Sequence, residues 1–317
     1  MREKNENFMN IEGKVYQFKL EEKVTGENSK QPGTHYIRGT VDVATDASLE
    51  NIVQVNYTYV TPVYNSGKTN STYSALKQLI DNPKTVSTDG WDGATTVKLN
   101  PSYSVNDFYP QGQDKLVTTP RNEGGFFTVV PETTLHPEGN IDRSKFSFDI
   151  IINNVVEVVP DEGDSYAKIE GVVFDFRNAV LPITLVARNK QAIAYFQGLE
   201  ASSQNPIFTK VWGKIVSTFT QVEKITESAF GEATVEMVPH KNKEYLITGA
   251  NPVPYEFDTE GTITAKELEK ALQDRQVYLA DVKRRSDEYR ASQGAASNNA
   301  SPAAQAAAAV KPGGFSF

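Results

Sequence analysis

The sequence contains no cysteine, which excludes a disulfide framework and any thiolate metal site. Its three histidines, His35, His136 and His240, stand far apart, and none has a second ligand at metal-binding spacing. No apolar run reaches the about 18 residues of a membrane-spanning helix. The opening "MREKNENFMN" is charged and lacks the apolar core of a secretory signal. These features predict a cytoplasmic protein without metal or membrane attachment. Catalytic signals are equally sparse. "SGKT", Ser66 to Thr69, resembles the end of a phosphate-binding loop, but Pro62 stands where the motif needs its first glycine. The acidic run Asp161-Glu162-Gly163-Asp164 lacks calcium-loop spacing and reads as a hairpin turn. The expectation is a binding protein with no cofactor and no turnover, not an enzyme.

What is present is a chain of 317 residues, long enough for one large core or two ordinary ones. It is 38% hydrophobic, with a mean hydropathy of −0.45. The net charge is −8, divided as −3 over residues 1–145, −6 over 146–259 and +1 over 260–317. An acidic total disfavours wholesale coating of nucleic acid, because long-range attraction to phosphate requires positive potential. A local basic track remains compatible with it.

One pattern occurs twice. "YIRGTVD", Tyr36 to Asp42, and "KIEGVVF", Lys168 to Phe174, share an alternating frame around a glycine, and Gly171 follows Gly39 by 132 residues. A strand-like segment precedes each frame, "IEGKVYQFKLEEKV" and "KFSFDIIINNVVEVV", and another follows, "NIVQVNYTYV" and "NAVLPITLVA". Helix-like segments come next, from Ser71 and from Lys190, each ended by Asn-Pro, and two further strand candidates close each half. Strand, strand, strand, helix, strand, strand is the order of the OB-fold, a Greek-key barrel. The predicted fold is therefore mainly β: two tandem OB-like barrels, a C-terminal α-helix and a disordered tail. The expected divisions are 1–144 with an irregular insertion at 100–125, then 145–259, the helix at 260–292 and the tail at 293–317. Glycine within a strand marks a bulge or tight bend, which a small barrel needs to close. For the helix, Thr264 and Glu267 form a capping box, Leu268, Leu272, Leu279 and Val282 an apolar stripe, and Lys283, Arg284 and Arg285 suit its C-terminal end.

Strand alternation also sorts candidate ligand contacts. In "IFTKVWGKIV", Ile207, Val211 and Ile215 face the barrel interior, while Phe208, Lys210, Trp212 and Lys214 face out. Alternating rings and ammonium groups suit bases and phosphates of a single strand. The same rings would equally serve as packing under the tail helix. Tyr36, Arg38 and Thr40 project from the first frame, and Lys168, Glu170 and Phe174 from the second. Trp91, in "DGWDG", is either a stacking residue on a loop or a hydrophobic plug. Tyr57 and Tyr59 share a face with Val53 and Val55, which assigns them to the core.

A two-barrel core followed by the helix "KELEKALQDRQVYLADVKRR" and a tail ending in Phe317 resembles bacteriophage single-stranded DNA-binding proteins. The likeness lies mainly over 145–290, where "FTKVWGKIV", "ESAFGEATVEMV" and "EYLITGANPVPYEF" resemble phage proteins associated with replication genes. It implies sequence-tolerant binding and protection of single-stranded DNA in phage replication, in the host cytoplasm. It also implies recruitment of replication proteins by the tail through Phe315 and Phe317, although this tail lacks the acidic residues usual in that class. Two other functions fit the composition: a phage decoration or tail component built from β-domains, and an OB-type adaptor that binds protein.

Overall fold

Alternation along "YIRGTVD" places Ile37 and Val41 inward and Tyr36, Arg38 and Thr40 outward, and the computed structural model has that arrangement. The structure describes residues 5–226, 234–259 and 262–298, the side chains of 219–241 and 293–298 excepted. The first repeat comprises β1 (Asn7–Val24), β2 (His35–Ala44), β3 (Ile52–Val60), α1 (Ser71–Asp81), α2 (Val86–Gly93), β4 (Thr96–Leu99), β5 (Ser102–Phe108), β6 (Val117–Glu123) and β7 (Phe127–Val129). The second comprises β8 (Ser144–Val158), β9 (Tyr166–Phe174), β10 (Val180–Ala187), α3 (Lys190–Gly198), β11 (Ile207–Thr226) and β12 (Thr234–Ala250), after which α4 (Ala265–Asn298) closes the described chain.

Both repeats close in the same way. In the second, β8 pairs β9, β9 pairs β10, β10 meets β12 in parallel at Val186–Leu246, and β11 pairs both β12 and β8. In the first, β1 pairs β2, β2 pairs β3, β3 meets β6 in parallel at Asn56–Glu123, and β4 pairs both β7 and β1. This is the OB order, with the fifth strand of the first repeat broken into β6 and β7. The chain is therefore mainly β, two OB-type barrels followed by a helix. The stretch expected as an irregular insertion is the regular hairpin of β5 and β6.

The repeated glycines bring strands into close approach at register shifts. A Cβ on Gly39, whose φ is +135°, would lie 1.8 Å from the Lys19 carbonyl oxygen, and one on Gly171 would lie 2.3 Å from that of Ile151. Each sits beside a bulge, between Ile37 and Gly39 in one barrel and opposite Ile152–Asn154 in the other.

The barrels share a sheet and a core. Asn7–Ile11 of β1 pair antiparallel with Ser144–Phe148 of β8. Tyr103 of the first repeat packs edge-on against Phe148 and Tyr245 of the second, at centroid separations of 6.0 and 5.4 Å. Asn51 donates to the Ile215 carbonyl at 3.1 Å and accepts from the Ser217 N–H at 2.8 Å. The junction near residue 145 thus runs through one compact unit, made of residues 5–105 and 120–271.

A second unit contains 106–119 and 272–298. Within it Arg275 makes two bonds to the buried Asp107 carboxylate, at 2.9 and 3.1 Å, and Lys283 reaches Asp114 at 2.6 Å. The capping box forms as expected: the Thr264 N–H donates to Glu267 and the Glu267 N–H to the Thr264 hydroxyl, at 2.9 and 3.1 Å. The helix continues to Asn298, however, so Lys283, Arg284 and Arg285 lie in mid-helix, where Arg284 and Arg285 pair with Asp281 and Arg284 also with Glu288. Leu272 is exposed, so the expected apolar stripe is not continuously covered. The tail from 299 on, with Phe315 and Phe317, lies outside the described residues. No described helix is long and apolar enough to cross a membrane.

Candidate nucleic-acid interface

The outer face of β2 and β3 carries a pair of aromatic rings. Ile37 pairs with Val60 and Gly39 with Tyr57, so β3 has one extra residue there. An extra residue reverses alternation beyond it. Tyr57 is therefore inside, 1% exposed, while Tyr59 is turned outward, 49% exposed. The assignment of Tyr59 to the core is thereby corrected; period-two counting has no means of registering a bulge. Tyr59 meets Tyr36 with ring centroids 4.7 Å apart and planes tilted by 40°. Arg38, half exposed, lies 3.6 Å from Glu21 on β1, and Glu21 also holds Lys23 at 3.0 Å. Lys23 and then Arg38 keep the Glu21 carboxyl below its ordinary pKa. Lys23 and Arg38 thus flank one ionised carboxylate beside a pair of rings.

Trp91 is a plug. "DGWDG" folds into α2, and the buried Lys14 places its ammonium 5.1 Å from the indole centroid. The same ammonium donates to the Trp91 carbonyl at 2.9 Å and pairs with Glu132 at 2.8 Å. Near it Glu12 is buried among Asn10, His136 and Lys98. Burial acts to raise its pKa, but the bonds from Asn10, His136 and Lys98 together lower it to about 2. "SGKT" is a turn before α1, and the helix N-terminus is capped by Asn70, whose side chain accepts from the Thr72 N–H.

On the second barrel the inward set is as expected: Val211 and Ile215 are fully buried and Ile207 packs on the same core. The outward set divides. Phe208 and Phe174 leave the barrel but are covered, 3% and 0% exposed, by Tyr255, Phe257, Ile263 and the first turns of α4. Neither ring face is open to a base, which corrects their assignment as accessible contacts; outward apolar rings acquired a cover of their own. Lys210 is paired with Glu6. Burial opposes its charge, yet Glu6 and Asp149 hold its pKa above the ordinary lysine value. Asp149 itself is raised, chiefly by burial, against the Glu6 N–H and Lys210. Trp212 is half-buried outside the cluster under α4, its indole so close to Gly249 that a Cβ there would lie 2.4 Å from it. Lys214 has no ion-pair partner among the described residues and stands opposite Lys145 in the ladder. Lys168 is exposed, and its neighbour Glu170 accepts from Asn154 at 2.9 Å.

The candidates therefore do not form one continuous track. Tyr36 and Arg38 stand together on the first barrel, joined by Tyr59; Lys168, Trp212 and Lys214 stay accessible on the second. Among the described residues no cluster of three or more His, Asp or Glu side chains could hold a metal.

No curated protein matches the sequence. Among the solved structures this chain is similar to are two of the single-stranded DNA-binding protein from Thermus aquaticus. The wild-type structure has a TM-score of 0.45 at 9% identity, covering 82% of this chain and 98% of that one. A deletion variant has a TM-score of 0.46 at 9% identity, covering 81% and 98%. The family model described as YorF matches residues 5–285, nearly the whole of both barrels and much of α4, and the chain belongs to the YorF family.

Proposed function

We propose that this protein binds single-stranded DNA without regard to sequence, using the outer face of β2 and β3 in the first barrel. The observation that carries this reading is the Tyr36–Tyr59 ring pair beside Arg38 on an uncovered face. OB barrels present their second and third strands to oligonucleotides. Aromatic rings stack any base, because every base has a π-face, and cations take the phosphates. Lys19 and Lys23 extend the cationic edge, and the accessible Lys168, Trp212 and Lys214 would extend the contact onto the second barrel. Binding rather than turnover is proposed, with protection of single strands during phage replication in the host cytoplasm as its setting. Each repeat would act as one module, joined near residue 145, and the tail with Phe315 and Phe317 would recruit replication proteins.

The test is affinity for a thymidine homopolymer, measured by fluorescence anisotropy. Tyr36→Ala and Tyr59→Ala should each weaken binding by roughly 1–3 kcal/mol with little change in melting temperature. Equal affinity for duplex and single strand, or unchanged affinity in both variants, would exclude this surface.

A further inference from the structure

We propose that a cleft between the two repeats receives one unstacked nucleobase of a bound strand, an inference that rests on the single-strand binding proposed above. The cleft has a volume of about 430 Å³ and is lined by Asn5, Tyr103, Glu123, Gly124, Phe174 and Phe176, among others. That volume lies within the range of small-ligand sites and exceeds what one base requires.

Its chemistry suits a neutral heteroaromatic ring. The Asn5 side-chain nitrogen is buried and has no hydrogen-bond partner among the described residues. Buried donors are nearly always paired, so this one calls for an acceptor from outside, which a base carbonyl supplies. Asn7 contrasts with it. Its amide donates to the Tyr103 and Phe174 carbonyls at 3.0 and 3.1 Å and accepts from the Tyr103 N–H at 2.7 Å, so it only fixes the wall. The Glu123 carboxyl accepts from Thr58, and burial raises its pKa. Together with Asp175, Glu123 makes the cleft hostile to a phosphate but leaves acceptors for the N–H groups of a base.

The mouth supplies the rest. Phe176 is 70% exposed on a turn held by Asp175, whose side chain accepts from the Arg177 and Ala179 N–H groups at 2.8 Å each. The Arg177 guanidinium lies 4.9 Å from the Phe176 ring centroid. One ring face is thus backed by a cation and the other is free to stack, the pairing that seats a base inside and its phosphate outside.

The full-length chain should be photo-cross-linked to a thymidine oligonucleotide carrying 5-iodouracil, and the adducts mapped by mass spectrometry. The expected adduct lies within residues 174–177. Phe176→Ala should remove it and weaken binding roughly tenfold, and Asn5→Ala should weaken binding by a smaller factor. Tyr36→Ala should reduce total binding while leaving the adduct position of the bound fraction unchanged. A strand that binds the wild type yet gives no adduct there, with Phe176→Ala and Asn5→Ala both neutral, overturns the cleft and leaves the first-barrel surface standing. A strand that does not bind at all overturns both.

Discussion

Around their shared glycine frame the two barrels turn different chemistry outward. Tyr36 and Arg38 precede Gly39, whereas Lys168 and Glu170 precede Gly171, and Asp42 occupies the place that Phe174 takes in the second frame. Asp42 is buried under polar cover from neighbouring strands, its carboxylate accepting from the side-chain amides of Gln17 and Gln54 at 2.8 Å each. Phe174 is apolar and has apolar cover instead: Phe208, Ile263 and the start of α4 close over it. One fold thus yields an open polar–aromatic face and a sealed apolar one, while the inward residues of the frame, Ile37 and Val41 against Ile169 and Val173, stay the same. The difference teaches that the outward residues of a strand declare function only once their cover is known.

The comparison would break most visibly at Phe208. Phe208→Ala should cost roughly 3–5 kcal/mol in urea denaturation, because it empties a packed site beneath α4. Affinity for single strands should be retained by the folded fraction. A stable variant that has lost DNA binding would make Phe208 a ligand contact after all.

Acid separates the barrels next. Glu12, in the first, has a folded pKa of about 2 against an ordinary 4.5, so the native state binds fewer protons than the unfolded chain. Its contribution, on the order of 3 kcal/mol, is complete above pH 4.5 and is lost as pH falls toward 2. Asp149, in the second, is raised by burial, so its ionisation opposes folding and protonation relieves it. Glu12→Gln should flatten the acid limb of stability against pH, and Asp149→Asn should leave that limb in place. Parallel acid limbs in wild type and Glu12→Gln would refute the assignment.

The finest contrast lies within β11. Lys214, without an ion-pair partner among the described residues, should contribute one released counterion, so Lys214→Ala should lower the salt slope of binding by about one unit. Lys210, held by Glu6, should leave the slope unchanged when replaced by Ala. Equal slopes for both variants would show that the Glu6 pair opens on binding.

Much of this architecture was legible in residue order. The repeated glycine frame, the inward residues Ile37, Val41, Val211 and Ile215, and the Thr264–Glu267 cap all fold as local pattern predicts. The interface was legible only in part. Tyr36 and Arg38 were visible, but their partner Tyr59 was hidden by a one-residue bulge that alternation does not encode. Phe176 and Arg177 escaped notice because a turn after β9 has no periodicity to count, and the value of the turn lies in the cleft beside it.

Side-chain periodicity, turn residues and capping act over a few positions, which is why strand order, barrel interior and helix start could be derived from the chain alone. Accessibility has a different origin. Glu6 neutralises Lys210 across 204 positions, and Tyr255, Phe257, Ile263, Leu268 and Ala271 cover Phe174 and Phe208 from the far end of the second repeat. Whether a ring or an ammonium group meets solvent or protein depends on which distant segment folds against it, and a local pattern carries no information about that segment.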